Sequence, residues 1–134
     1  MSPFPTFRYH YLNNYNQQNV FAAGSNSNTS TALTDYSDLP DCSLSPGEGT
    51  FLAIFGGIMG NEANQRVQVS IFVNNMNQTS AVAQVEVAAD WRIQMTTSAY
   101  LVDLKASDIV KVRWKVSGGT GTSYRRSLYI MRVS

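Results

Sequence analysis

The chain has 134 residues, of which 43% are apolar and only 14% are charged, and its net charge is +1. This length favours a single domain with its own core, and the near-zero net charge disfavours a dedicated nucleic-acid binder. A single cysteine, Cys42, excludes an intramolecular disulfide framework, and no apolar run approaches the roughly 20 residues of a membrane helix. The first residues lack the basic start and apolar middle of a signal peptide. We expect a protein made in the cytoplasm that binds neither nucleic acid nor membrane, with a sparsely charged surface that favours packing against other proteins.

The first 18 residues differ from the rest in composition. Pro3 and Pro5 disfavour a helix start and favour an extended path. Five aromatic rings lie in the same segment, and exposed rings usually find a surface to cover. These rings are Phe4, Phe7, Tyr9, Tyr11 and Tyr15. We predict an extended N-terminal arm over 1–18 that docks onto a partner through these rings, with a frayed terminus as the alternative, and one domain over 19–134.

From about residue 19 onward the pattern is that of β-strands. In 109–117, β-branched and aromatic residues alternate strictly with Lys, Arg and Ser, which is typical of a strand with one solvated face. Pairs of Gly, Pro and Asn mark the turns, and we expect the glycine-rich run 118–123 to be a hairpin loop. The predicted strands are 19–23, 32–36, 50–59, 66–74, 80–88, 91–102, 109–117 and 123–133. About eight short strands and no long amphipathic helix predict an all-β, two-sheet sandwich or jelly roll.

Two of the predicted strands, 50–59 and 123–133, are apolar on both faces. A sandwich strand needs only one apolar face for its own core, so the second apolar face predicts a further buried layer supplied by another copy of the chain. The alternative is that a long loop or the N-terminal arm covers this face. The residues predicted for the interface between copies are Leu52, Ile54, Tyr129 and Met131.

Three segments, in their order and spacing, resemble a known family. The segment 45–55, SPGEGTFLAIF, is similar to the "Pro or Ala, Gly, x, Tyr or Phe" segment and following apolar strand of tumour-necrosis-factor-like and complement-globular-head-like jelly rolls. The segment 69–74, VSIFVN, resembles the next strand of the bacterial and phage versions, and 110–133 resembles their last two strands. The resemblance covers roughly 19–133 and implies two five-stranded sheets that form a threefold trimer through the inner sheet. It assigns 50–59, 91–102 and 123–133 to the inner sheet and 66–74 and 109–117 to the outer sheet.

The sequence offers little support for a catalytic or metal site. The only histidine, His10, lies in the arm, which disfavours a nucleophilic triad. Cys42 is expected to be a small buried apolar residue. Asp35, Asp38 and Asp41 lack the glycine and bidentate glutamate of a calcium loop, so a solvated acidic turn is favoured. We predict no catalytic, cofactor or metal residue and no enzymatic activity.

Lys111, Arg113 and Lys115 form a basic stripe on the solvated side of 109–117. Such a stripe is one way to bind a nucleic acid or an anionic glycan. No aromatic residue lies among these three cations on their exposed side of the strand. We therefore favour a solvated face whose charges pair in part with the acidic loops of a neighbouring subunit.

Two classes of function remain. The first is a structural virion protein, a homotrimeric decoration (cement) protein at the capsid surface of a phage virion, whose arm binds the major capsid protein or another virion protein. The second is a binding module, a trimeric tail-fibre tip or lectin-like domain that recognises a cell-surface glycan. The resemblance alone implies the phage. The low charge and the lack of a collagen-like or coiled-coil stalk before the domain favour the first class.

Overall fold

The computed structural model describes residues 19–79, 82–87 and 92–134, and these segments form strands and connecting turns without an α-helix. The strands are β1 (Val20–Ser25), β2 (Thr29–Thr31), β3 (Ser37–Leu44), β4 (Gly49–Gly60), β5 (Arg66–Val73), β6 (Met76–Asn77), β7 (Ala83–Glu86), β8 (Ile93–Leu104), β9 (Val110–Val116) and β10 (Gly121–Arg132). The all-β prediction is confirmed. The strands outnumber the predicted eight because β2 and β6 have three and two residues, too few to carry a periodic pattern.

The strands pair antiparallel in two five-stranded sheets. The first sheet has the order β1–β10–β4–β8, with β2 also paired to β10, and the second has the order β3–β9–β5–β6, with β7 also paired to β5. The strands assigned to an inner sheet are β4, β8 and β10, which are neighbours in the first sheet. Those assigned to an outer sheet are β5 and β9, which are neighbours in the second. The predicted two-sheet jelly roll is confirmed.

The facing sides of the two sheets form the core, because successive side chains of a strand point to opposite faces. In β9, Val112, Trp114 and Val116 are at most 3% exposed, as their alternation with charged residues predicted. The first sheet contributes large buried side chains from β4, β8 and β10. These are Phe51, Phe55, Met59, Met95, Leu101, Leu128 and Ile130.

The strand predicted at 32–36 is wrong. Those residues connect β2 to β3, and the strand of this region is β3 itself. Its sequence, SDLPDCSL, contains a proline and two aspartates and lacks regular alternation, so its composition argued against a strand. β3 accommodates them because it lies at the edge of the second sheet and because its register with β9 shifts between Asp38 and Ser43. Asp41, inside this bulge, has a left-handed φ of 65°.

The hairpin loop predicted at 118–123 is also wrong. β9 ends at Val116 in the second sheet and β10 begins at Gly121 in the first, so the chain crosses between the sheets here. A hairpin would require the two strands to pair with each other. Gly119 in this crossing has φ 67°, and a Cβ atom there would lie 2.8 Å from Oδ1 of Asn61. Glycine at this position therefore lets the chain turn tightly as it crosses between the two sheets.

A buried arginine, Arg126 of β10, joins the two sheets at the bulge of β3. Its side chain is 2% exposed. Nε donates to the carbonyl oxygen of Pro40 at 2.6 Å, and Nη1 donates to that of Ser27 at 2.7 Å. Nη2 donates to Oδ2 of Asp41 at 3.1 Å. Because a buried guanidinium is costly without partners, these contacts hold the bulge and the connection after β1 against β10.

Candidate functional site

The face of the first sheet that points away from the core carries an apolar row. The strand registers place Val20 opposite Met131, Met131 opposite Leu52 and Leu52 opposite Tyr100. The row therefore crosses β1, β10, β4 and β8 in turn. Val20 and Tyr100 are 57% and 64% exposed, and the other two are partly buried. Contiguous apolar side chains on an open sheet are typical of an interaction surface.

A second row lies directly beside the first. Tyr129 is opposite Ile54, with Ala22 and Ser98 at the two ends of the row. Tyr129 is 49% exposed. We call these two adjacent rows the apolar face; its large members are Val20, Leu52, Ile54, Tyr100, Tyr129 and Met131. All four residues predicted for the interface between copies lie on it, as two cross-strand pairs.

Two members of the apolar face, Val20 and Tyr100, were missed by the sequence analysis. The alternation within 91–102 already set Tyr100 apart from Ala99 and Leu101, which are buried. That pattern could therefore have identified Tyr100. Val20 gave no such indication, because its side of β1 continues with the small residues Ala22 and Gly24, and only pairing with β10 places it in the row.

Beyond the apolar face, small residues leave a depression in the same sheet surface. The next row consists of Gly24, Ser127, Gly56 and Thr96. A depression of about 400 Å³ lies over Gly56 and is bordered by Ile58, Tyr129 and Arg125. Among the described residues that the registers place on this side of the sheet, Arg125 alone is charged. The surface thus has room for a side chain of a partner and little charge to desolvate.

The opposite surface of the molecule, on the second sheet, carries the basic stripe. The prediction that no aromatic residue lies among these cations on their exposed side is wrong. The guanidinium of Arg113 lies 5.1 Å from the centre of the Phe72 ring, and Nζ of Lys115 lies 4.7 Å from that of Tyr36. Phe72 belongs to the neighbouring strand β5, and Tyr36 precedes β3, so alternation within 109–117 could not reveal either ring.

Part of the basic stripe is paired within the chain. Oδ1 of Asp38 accepts a hydrogen bond from Nε of Arg113 at 2.8 Å and lies 3.7 Å from Nζ of Lys111. Asp38 and Asp41 therefore bind arginines of two different strands, Arg113 and Arg126. The acidic turn predicted around them acts as a set of ion-pair partners.

The described residues bring together no cluster of side chains that could hold a metal ion. No three His, Cys, Asp or Glu side chains in 19–79, 82–87 and 92–134 lie close enough to share a metal ion. Cys42 is fully buried, as expected, and burial raises the pKa of its thiol to about 12, with Arg126 opposing and Asp41 adding to this effect. Among the same residues, no helix has the length and apolarity needed to cross a membrane.

The predicted arm over 1–18 lies outside the described residues. So does His10. The same is true of the candidate anchoring rings, which are Phe4, Phe7, Tyr9, Tyr11 and Tyr15.

Neither a protein-family model nor a curated protein sequence matches this chain. Solved structures match most of its length. The globular domain of zebrafish complement 1qA aligns with a TM-score of 0.62 at 9% identity, covering 87% of this chain and 98% of that one. Eiger TNF from S. frugiperda gives 0.58 at 12%, covering 87% and 94%, and the PRD1 vertex protein P5 gives 0.53 at 10%, covering 87% and 97%. The chain has the tumour-necrosis-factor-like jelly-roll fold.

Proposed function

We propose that this protein is a structural virion protein, a homotrimeric decoration protein on a phage capsid, without enzymatic activity. The observation that carries the proposal is the apolar face. Six large apolar side chains stand in two rows on the outside of a sheet whose other side already forms the core. Monomeric soluble proteins rarely expose a contiguous apolar surface of this kind.

The proposed trimer buries the apolar face of each copy. Apolar surface removed from water contributes about 25 cal/mol per Å², and an interface of standard size buries about 800 Å² per partner. The centre of the contact is formed by four residues of β4 and β10, which are Leu52, Ile54, Tyr129 and Met131. Val20 of β1 and Tyr100 of β8 lie on either side of this centre. The scarcity of charge on this surface supports the proposal, since the strand registers place no carboxylate of the described residues there that would have to lose its water.

The assignment to a virion rests on supporting observations of a different kind. One of the proteins that share the fold is named a vertex protein, whereas two others are named a TNF and a complement 1qA domain, so the fold alone does not decide the function. The charged fraction of 14% favours a surface packed against other proteins over one that is fully solvated.

The N-terminal arm is the proposed attachment to the major capsid protein or another virion protein. Its five rings can supply most of the contact, because aromatic residues dominate interface hot spots. Arg8 and His10 are its only basic side chains, and it holds no acid. Apolar and hydrogen-bonded attachment of this type tolerates salt, since screening acts on charge.

Rebinding to emptied phage heads tests the proposal. We expect the full chain to rebind heads stripped of it, in a manner that persists at about 1 M salt. A variant lacking 1–18 should remain a folded trimer by light scattering and circular dichroism and should fail to rebind. A full-length variant with the five rings changed to serine is the matched control for chain length, and we expect it to fail as well.

Two outcomes would contradict parts of the proposal. If the shortened trimer binds heads as tightly as the full chain, the arm is not the anchor and the loops of the jelly roll must carry the attachment. If mass spectrometry of separated heads and tails finds the chain in the tails alone, the tail-fibre tip replaces the capsid protein as the function.

A further inference from the structure

The outer surface of the second sheet holds a polar depression of about 220 Å³. It lies where β5, β7 and β9 run beside the segment that leads into β3. Its polar lining is Thr34, Arg66, Gln68, Gln84, Lys115 and Ser117. Because the second sheet faces the first across the core, this depression and the apolar face point to opposite sides of the molecule. A trimer formed through the apolar face leaves it open to solvent.

Positive charge is left unpaired in this depression. At the other end of the stripe, Asp38 binds Arg113 and contacts Lys111. By contrast, neither Arg66 nor Lys115 has a carboxylate within 4.0 Å among the described residues. This holds although Glu86 is opposite Arg66 in the register of β5 and β7.

The two unpaired cations are neighbours. Lys115 is opposite Gln68, two residues from Arg66 on the same side of β5, so the cations are diagonal neighbours on one sheet surface. One anionic group placed between them would reach both.

The walls of the depression are held in place by their own contacts. Nε2 of Gln68 donates to Oη of Tyr36 at 2.5 Å, and Nζ of Lys115 lies over the same ring. Oγ of Ser117 accepts a hydrogen bond from the backbone N–H of Arg66 at 2.7 Å. Side chains that are already positioned lose little conformational freedom when a ligand binds.

We infer that this depression binds an acidic sugar residue of an anionic glycan. Its volume is below that of sites for drug-sized ligands and suits a single ring. Arg66 and Lys115 offer charge-assisted hydrogen bonds to one carboxylate or sulfate. The amides of Gln68 and Gln84 and the hydroxyl of Thr34 offer donors and acceptors to the hydroxyl groups of a sugar.

A single-stranded nucleic acid fits the same surface poorly. Its bases need exposed aromatic faces on which to stack. The face of Tyr36 is covered by Lys115, and Phe72 is 5% exposed beneath Arg113. The inference does not depend on the proposed capsid role, because it concerns a different surface.

Calorimetric titration of the full chain tests the inference. The probes are a galacturonate oligomer for the carboxylate, a heparin oligomer for the sulfate, a neutral galactose oligomer, and a thymidine oligonucleotide. We expect at least one acidic oligosaccharide to bind, and the double variant Arg66→Gln, Lys115→Gln to weaken that binding about tenfold or more, as the loss of two charge-assisted contacts requires. The matched control Lys111→Gln removes one charge from the same strand and should change the affinity less than about twofold.

Each other outcome overturns the inference. If neither acidic oligosaccharide binds, or if the neutral oligomer binds equally well, there is no acidic-sugar site. If Lys111→Gln weakens binding as much as the double variant does, the attraction is diffuse and not centred on the depression. If the oligonucleotide binds more tightly than both acidic oligosaccharides, the surface is a nucleic-acid site. Circular dichroism of each variant confirms that it is folded.

Discussion

Arg126 and Asp41 join strands that belong to different sheets, with Nη2 of the arginine 3.1 Å from Oδ2 of the aspartate. The arginine side chain is 2% exposed, whereas that of the aspartate is 59% exposed. The carboxylate thus remains hydrated while it neutralises a charge that is almost fully buried. This arrangement explains how β3 holds a proline and a left-handed aspartate in a strand, since the bulge they create delivers Pro40 and Asp41 to the guanidinium.

Replacing Arg126 tests how much its contacts contribute to the stability of the fold. We expect Arg126→Met to lower the free energy of unfolding by about 2–4 kcal/mol, because it leaves the carbonyl groups of Pro40 and Ser27 without their donor. Urea denaturation followed by tryptophan fluorescence measures the change. Lys105→Met, at an exposed position, is the control and should stay within about 0.5 kcal/mol. Equal effects of the two substitutions would mean that the contacts of Arg126 between the two sheets do not stabilise the fold.

Predictions from the sequence were most accurate where a single strand carries its own period-two pattern of apolar residues. The alternation in β9 and the two apolar sides of β4 and β10 located the core and the apolar face, because period-two burial is a local property. The predictions failed where a contact joins distant segments. β3 is stabilised by Arg126, 85 residues away from Asp41, and the rings beside the basic stripe come from β5 and from the segment before β3. No local pattern encodes such pairs.

Charge placed on the apolar face should dissociate the proposed trimer. We expect Met131→Asp to give monomers or aggregates, since a carboxylate buried at the contact without a partner costs several kcal/mol per interface. Analytical ultracentrifugation measures the assembly state. Met76→Asp makes the same chemical change at a position 73% exposed in β6 of the second sheet and should leave a trimer. A trimeric Met131→Asp variant would place that residue outside the interface.

Trp114 tests the position of the core. It is 1% exposed in the middle of β9, so Trp114→Ala should create a cavity and lower the free energy of unfolding by about 3–5 kcal/mol. Lys111 on the other side of the same strand contacts only the well-exposed Asp38 among described carboxylates. Lys111→Ala should therefore change the value by less than about 1 kcal/mol. Similar losses from both substitutions, measured by urea denaturation, would contradict the register of β9.

Cys42 should make the protein less stable in alkaline solution. Burial raises the pKa of its thiol from 9.0 to about 12 in the folded chain, so above pH 9 the unfolded chain releases a proton that the folded chain retains. Proton release therefore stabilises the unfolded state relative to the folded state. The free energy of unfolding should fall by up to about 1.4 kcal/mol per pH unit between pH 9 and 12. Cys42→Ala lacks the thiol but keeps every other titrating group, so the difference between the two pH profiles isolates the effect.

In addition, the folded wild type should react with a thiol reagent at pH 8 far more slowly than the urea-unfolded chain, because the thiolate is the reactive form. Equal reaction rates, or two parallel pH profiles, would show that the thiol is not held in its protonated form by the fold.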